Sequence, residues 1–202
     1  MASTVEICNI ALSNLGDQLI TSLTEANARA RACNLRFNDT RDAVLRSHPW
    51  NCAMSRATLA VSGTPDWGYS NSFALPTDCL RVLDVEDPDT EWKIEGRNIV
   101  SDGSTIKIRY IAQVTDTTLF DSTLVQAIAL KLAWEIAETL TGNIDLKREM
   151  WQKYQFAISE ARSNDAMEGT PEKIEADEWL LARRGYSTRR NISTPSTGYA
   201  YS

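Results

Sequence analysis

The chain has a single histidine, no Cys-x-x-Cys pair and no surplus of positive charge, and each absence removes a class of function. One histidine among dispersed cysteines (Cys8, Cys33, Cys52, Cys79) gives no basis for a zinc site. Neither Gly-x-Gly-x-x-Gly nor Gly-x-x-x-x-Gly-Lys-Ser/Thr occurs, so no glycine-rich cradle for nucleotide phosphates is expected, and no cofactor. No stretch approaches the roughly 18 consecutive apolar residues of a membrane-spanning helix, so no membrane anchor is expected. The opening Met1-Ala2-Ser3-Thr4-Val5-Glu6 lacks a basic run ahead of an apolar core and does not read as a signal peptide. A protein kept in the cytosol, or released by lysis, should hold its cysteines reduced and mostly buried. Lys and Arg number 21 against 27 Asp and Glu, a net charge of −6. Such a balance disfavours gripping duplex DNA, which needs a basic stripe against the phosphates. It does not disfavour a surface past which DNA slides.

What is present is a chain of 202 residues, 43% hydrophobic and 24% charged, enough for one domain with an appendage. Ser3-x-x-Glu6 is a capping-box signature. Val5, Cys8, Leu12 and Leu15 follow at helical spacing and Gly16 stands as a stop, which predicts a helix over 4–15. Ser22-x-x-Glu25 repeats the capping signal. Ala26 to Ser47 contains no Gly or Pro, with Ala28, Ala32 and Leu35 on one face and Cys33, Phe37 and Val44 on an adjoining stripe. Pro49 ends this second helix, expected over 24–47. Leu124 to Leu140 is apolar nearly all round, as in the middle of a bundle, and Thr141-Gly142 closes it. A fourth helix over 144–165 would turn Leu146, Met150, Ala157 and Ala161 inward, antiparallel to the third.

Between the helices the period changes. Leu80 to Val85 and Thr105 to Ile111 alternate as strands do, and Glu91 to Ile94 and Asn98 to Val100 flank Gly96 as a hairpin would. The expected fold is therefore α+β: a mainly α-helical bundle of about four helices (1–50 and 118–165), an inserted small antiparallel β module (51–117), and an extended C-terminal arm (166–202).

The arm is built unlike the rest. Thr170-Pro171-Glu172 and Arg183-Arg184-Gly185 bracket a short helix expected over 171–184. From 166 to 178 there are five acids and one Lys, and from 179 to 202 four Arg and no acid. Trp179, Leu180 and Leu181 lie at that join with little core to bury them, and the polar stretch after Gly185 should be disordered alone. An apolar anchor on such a tail reads as a docking element for a partner, with Trp179, Leu180 and Leu181 as the anchor and Arg183, Arg184, Arg189 and Arg190 pairing with acids there.

Catalytic chemistry finds little support. His48, in Arg46-Ser47-His48-Pro49-Trp50, reads as a structural residue at a helix-to-strand corner, because sequence neighbours do not supply an oriented base and nucleophile. Asp84/Glu86/Asp87/Asp89 and Glu172/Glu175/Asp177/Glu178 offer carboxylate pairs. They leave open an alternative reading, a glycosidase acid and nucleophile, which under the family likeness described next would be a tail-associated peptidoglycan hydrolase, but charge runs are mostly solvated faces. Trp134 and Trp151 fall in helices and read as core rather than as sugar-stacking platforms.

Several blocks carry a family likeness. They are Ile7 to Gly16, Ala30-Arg31-Ala32-Cys33-Asn34, Thr40 to Asn51 with its Arg-Asp-x-x-Leu-Arg-x-x-Pro-Trp core, Phe73 to Leu83, Ile94-Glu95-Gly96-Arg97, and Tyr110 to Thr115. In order and content they resemble the tail tubular protein A family of short-tailed bacteriophages, through Leu132-Ala133 and Thr141-Gly142 to Ala161-Arg162. Beyond about residue 165 the likeness is weaker, except at Trp179-Leu180. The resemblance implies a non-enzymatic virion protein: a ring, commonly of twelve copies, beneath the portal protein. That ring would extend the DNA channel, carry the tail nozzle protein, and clasp the portal with its C-terminal segment.

Overall fold

Capping chemistry decides where the helices begin. The computed structural model describes residues 2–168, and its first helix, α1 (Thr4–Asn14), starts from the expected capping box. Glu6 N–H donates to Ser3 Oγ at 3.2 Å and Ser3 N–H to the Glu6 carboxylate at 2.5 Å. Gly16, at φ 69°, lets Asp17 N–H reach back to Leu12 O at 3.0 Å and closes the helix. The second helix, α2 (Ala28–Arg46), starts later than the expected 24. Glu25 instead closes a turn, accepting from Thr21 N–H and Ser22 N–H, and Asn27 becomes the cap, accepting from Ala30 N–H at 2.7 Å.

The sheet follows. Strands β1 (Met54–Gly63), β2 (Asn71–Ala74), β3 (Cys79–Val85), β4 (Trp92–Glu95), β5 (Asn98–Ser101) and β6 (Thr105–Ala112) pair in the order β3-β6-β1-β2-β5-β4. Every pairing is antiparallel. Helices α3 (Ser122–Thr141) and α4 (Ile144–Met167) complete the described residues, within two residues of their expected spans.

The expectation of a mainly helical bundle with a small inserted β module is therefore corrected. The six strands form one antiparallel half-barrel sheet, and the described body is a sheet-rich domain with four helices. The two elements that enlarge the sheet are β1 and β2. Ten-residue β1 has only Leu59 buried and β2 only Phe73, so neither shows the apolar alternation that betrays a strand in sequence. Their role is in pairing. β1 matches β6 from Met54↔Ile111 to Ala60↔Thr105, then bulges between Val61 and Gly63 and turns to β2. β2 in turn pairs with β5, which joins the 92–101 hairpin to the rest.

Two apolar clusters hold this body. The smaller lies under the sheet, around Leu59, Phe73, Val82, Ile99, Ile106, Ile108 and Tyr110. The larger is centred on α3, where Leu124, Ala127, Ile128, Leu132, Ala133, Ile136 and Ala137 are all buried. α1, α2 and α4 pack mainly on α3, with only a slight contact between α1 and α2. On α4 the inner face is Met150, Tyr154, Ala157, Ile158 and Ala161; Leu146 is only half-buried. On α2 the buried stripe is Ala30, Cys33, Phe37, Thr40, Arg41, Val44 and Leu45; of the expected Ala28/Ala32/Leu35 face, Ala28 and Leu35 are exposed and Ala32 lies half-buried against the core. Replacing Ile128 by Ala should cost about 2–5 kcal/mol, because the hole opens among helices that cannot collapse into it. Gly142, at φ 65°, closes α3, and its replacement by Ala should cost about 1–2 kcal/mol. Urea unfolding followed by far-ultraviolet circular dichroism checks both.

Candidate functional site

The Thr40–Asn51 stretch folds into a corner that touches every layer of the body. Pro49 stops α2, and Trp50 turns inward to near-complete burial. Val44 O, freed at the helix end, accepts from Ser47 N–H at 3.1 Å, Ser47 Oγ at 2.7 Å and the Trp50 indole N–H at 3.0 Å. The buried Arg41 guanidinium lies 2.8 Å from Asp42, whose other oxygen accepts from Gln113 Nε2 at 2.6 Å, just beyond β6. Thr40 Oγ1 donates to Glu135 of α3 at 2.9 Å, and Arg46 donates to Leu80 O on β3.

The same corner clasps the end of α4. Asn51 N–H donates to Asp165 Oδ1 at 2.9 Å, and Asn51 Nδ2 to Asp165 O at 2.8 Å. His48 Nε2 sits 3.4 Å from Asp165 Oδ2, with its ring edge-on to Trp50 at 4.7 Å. Arg162 Nη2 donates to Ser47 Oγ at 3.2 Å.

The fold thus gathers Ser47, His48 and Asp165, the residue types of a hydrolytic triad, but not its geometry. Ser47 Oγ is directed to Val44 O and Arg162, with no hydrogen bond to His48. Burial pushes the nearby Cys52 thiol up to about 11, helped by the Asp165 charge, which is the reverse of what a nucleophilic thiolate needs. Cys8, Cys33 and Cys79 are free thiols in the core, with Cys8 raised by its contact with Cys33 and by burial.

The carboxylate cluster on β3 and after it is likewise engaged. Asp84 pairs with Arg109 on β6, and Glu86 with Lys107 at 2.7 Å. Asp87 caps its own turn through Asp89 N–H and Thr90 Oγ1. A concavity of about 520 Å³ lies over Arg56, Asp84, Glu86, Lys107 and Arg109. Its acids face cations rather than the apolar pocket that keeps a general acid protonated.

Trp134 packs half-buried against the larger core, whereas Trp151, also expected there, is exposed. Both are partly exposed and stack 4.9 Å apart, with the Lys131 ammonium 4.1 Å from the Trp134 ring and 5.1 Å from that of Trp151. Burial draws Lys131 below its ordinary value, and Glu135, at 3.9 Å, opposes that shift. A lysine already fills this aromatic cleft.

The proposed docking residues Trp179, Leu180, Leu181, Arg183, Arg184, Arg189 and Arg190, and the acids from Glu172 to Glu178, lie outside the described residues. Among the described residues no group of three or more metal-ligating side chains comes together, and no helix is long and apolar enough to cross a membrane. Two features escaped the sequence reading: Phe156, 74% exposed on α4, and Leu35, 72% exposed on α2. Phe156 is legible in hindsight as an aromatic standing off the Met150/Ala157/Ala161 stripe. Leu35 sat in an alanine-rich window that gave two adjacent candidate faces.

Two consequences of the clasp can be measured. Asp165→Ala should lower stability by about 1–2 kcal/mol, because it orphans the Asn51 amide and the His48 ring. Burial, only partly offset by the Asp165 charge and reinforced by Arg162 and Arg81, holds His48 below its ordinary 6.5. The unfolded chain therefore binds the proton more readily than the folded one. The His48 contribution is complete above pH 6.5 and is lost as pH falls through the lower, folded value. Urea unfolding of His48→Gln between neutral and mildly acidic pH should show a flatter decline than the parent protein. No protein-family model and no curated protein matches the chain.

Proposed function

We propose that the chain is a structural virion protein, the ring-shaped adaptor between portal and tail of a short-tailed bacteriophage. On this reading it works by geometry and makes or breaks no covalent bond. The observation that carries the reading is how the Thr40–Asn51 block is used. This block is the most specific part of the likeness to the tail tubular protein A family. Its polar atoms go into holding α2, α3, α4 and β3 in fixed relation, through Thr40–Glu135, Asp42–Gln113, Arg46–Leu80 and Asn51–Asp165. A chain selected for chemistry keeps its distinctive side chains for a cleft; a chain selected as a building block keeps them for rigidity.

The rest of the body suits that use. A head-to-tail ring needs two different rigid faces on each copy. Helices held mainly on α3 suit that need, with outward sides left open among the described residues. On this reading twelve or so copies surround a channel through which DNA passes without sequence-specific contact. The net charge of −6 suits a wall that does not retain phosphates. The portal lies above and the tail nozzle below, and the chain resides in the virion after assembly in the host cytoplasm.

Electron microscopy of the full chain mixed with its portal tests this directly. A collar of density added to the portal is expected, and an unaltered portal would sink the proposal. A second experiment asks whether the C-terminal residues dock. Truncation at Ala166 should weaken binding to portal rings at least tenfold, as loss of a buried tryptophan anchor does at a typical interface. Undiminished binding would remove the clasp from the proposal.

A further inference from the structure

The outer faces of α2 and α4 carry matching features that no described residue satisfies. On α4, Phe156 is 74% exposed beside a concavity of about 490 Å³ floored by Leu130 and Ala157 and rimmed by Lys153 and Glu160. On α2, Leu35 projects at 72% exposure, with Arg31 one turn before it and Asp39 one turn after. Arg31, Asp39 and Glu160 form no ion pair or side-chain hydrogen bond with any described residue, whereas Lys153 is shared only with Glu149, at 2.7 Å.

The order of charges along each helix is the informative part. Read from its N-terminus, the α2 stripe runs cation, apolar, acid: Arg31, Leu35, Asp39. The α4 stripe runs the same way: Lys153, Phe156, Glu160. Two helices bearing this order repel when parallel. When antiparallel they meet with both charge pairs matched and the apolar residues opposed. Helix residues three and four apart lie on one face, so both stripes present their three groups at nearly the same spacing.

We propose that these faces bind each other between copies. α2 of one molecule lies antiparallel on α4 of the next, with Leu35 in the concavity beside Phe156, Arg31 on Glu160 and Asp39 on Lys153. The partner is a second copy because both halves of the match belong to this chain, and α2 and α4 pack on α3 rather than on each other. The two faces differ, so each copy keeps one unused face of each kind and the contact propagates head to tail. A contact of about three turns per helix falls well below the roughly 1,600 Å² buried by stable pairs. It is weak for two copies and gains strength only as further copies close on each other.

This inference rests on the assembly reading above, and it is tested with full-length chain at millimolar concentration under a mild thiol oxidant. Leu35 and Phe156 are exposed, so cysteines there should not disturb folding, which circular dichroism verifies. The double variant L35C/F156C should give a ladder of dimers, trimers and larger species on a non-reducing gel. L35C mixed with F156C should stop at the dimer, and neither single variant alone should cross-link. E160R should cut the yield about threefold to fivefold, the scale of one exposed ion pair made repulsive. R31E in the same chain should restore it. Absence of a ladder, or dimers of a single variant in equal yield, would overturn the pairing. If sedimentation shows self-association without the ladder, this pairing fails and the assembly reading stands. If the chain stays monomeric and no ladder forms, the pairing also fails, and the portal mixture decides the assembly reading independently.

Discussion

The buried seat of Trp50 is the constraint on which the arrangement depends. A tryptophan can be fully enclosed only where its indole N–H finds an acceptor, and the one at hand is Val44 O, released because Pro49 stops α2 one turn later. Helix end, proline and tryptophan therefore specify one another. With Trp50 in place the chain leaves α2 in one direction only. That direction brings Asn51 to the last turns of α4 and starts β1 in register with β6. Loss of the indole would leave a void and undo the alignment of helices with sheet.

Much of this was legible in the sequence where local chemistry speaks for itself. The Ser3/Glu6 capping box, Gly16 and Gly142 marked helix ends that the structure keeps, since a cap depends on residues a few positions apart. The all-round apolar character of Leu124 to Ala137 located the centre of the larger core. Failures came where a distant partner decides. The Ser47–His48–Asp165 gathering was invisible because residues more than a hundred positions apart meet there.

The size of the sheet was missed for a related reason. An alternation test finds strands with one wet and one dry face. β1 spends most of its length with neither face fully covered, and it is specified by its hydrogen-bonded neighbours rather than by its side chains. Charges tell the same story. Asp84 and Glu86 read as part of an acidic run, yet β3 stands beside β6 and so each meets a cation across the ladder, Arg109 and Lys107. A run of like charges along one strand can thus be neutralised by the next, which no linear reading of either strand reveals.

The strand order also bears on edge-to-edge pairing of the sheet. An open half-barrel has two edges, and each invites pairing with another chain's backbone. Here one edge, β4, is only four residues long and carries Lys93 and Glu95. The other, β3, is broken by two register shifts, and Arg46 already occupies its Leu80 carbonyl. Fibre-like stacking through the sheet is therefore blunted at both margins.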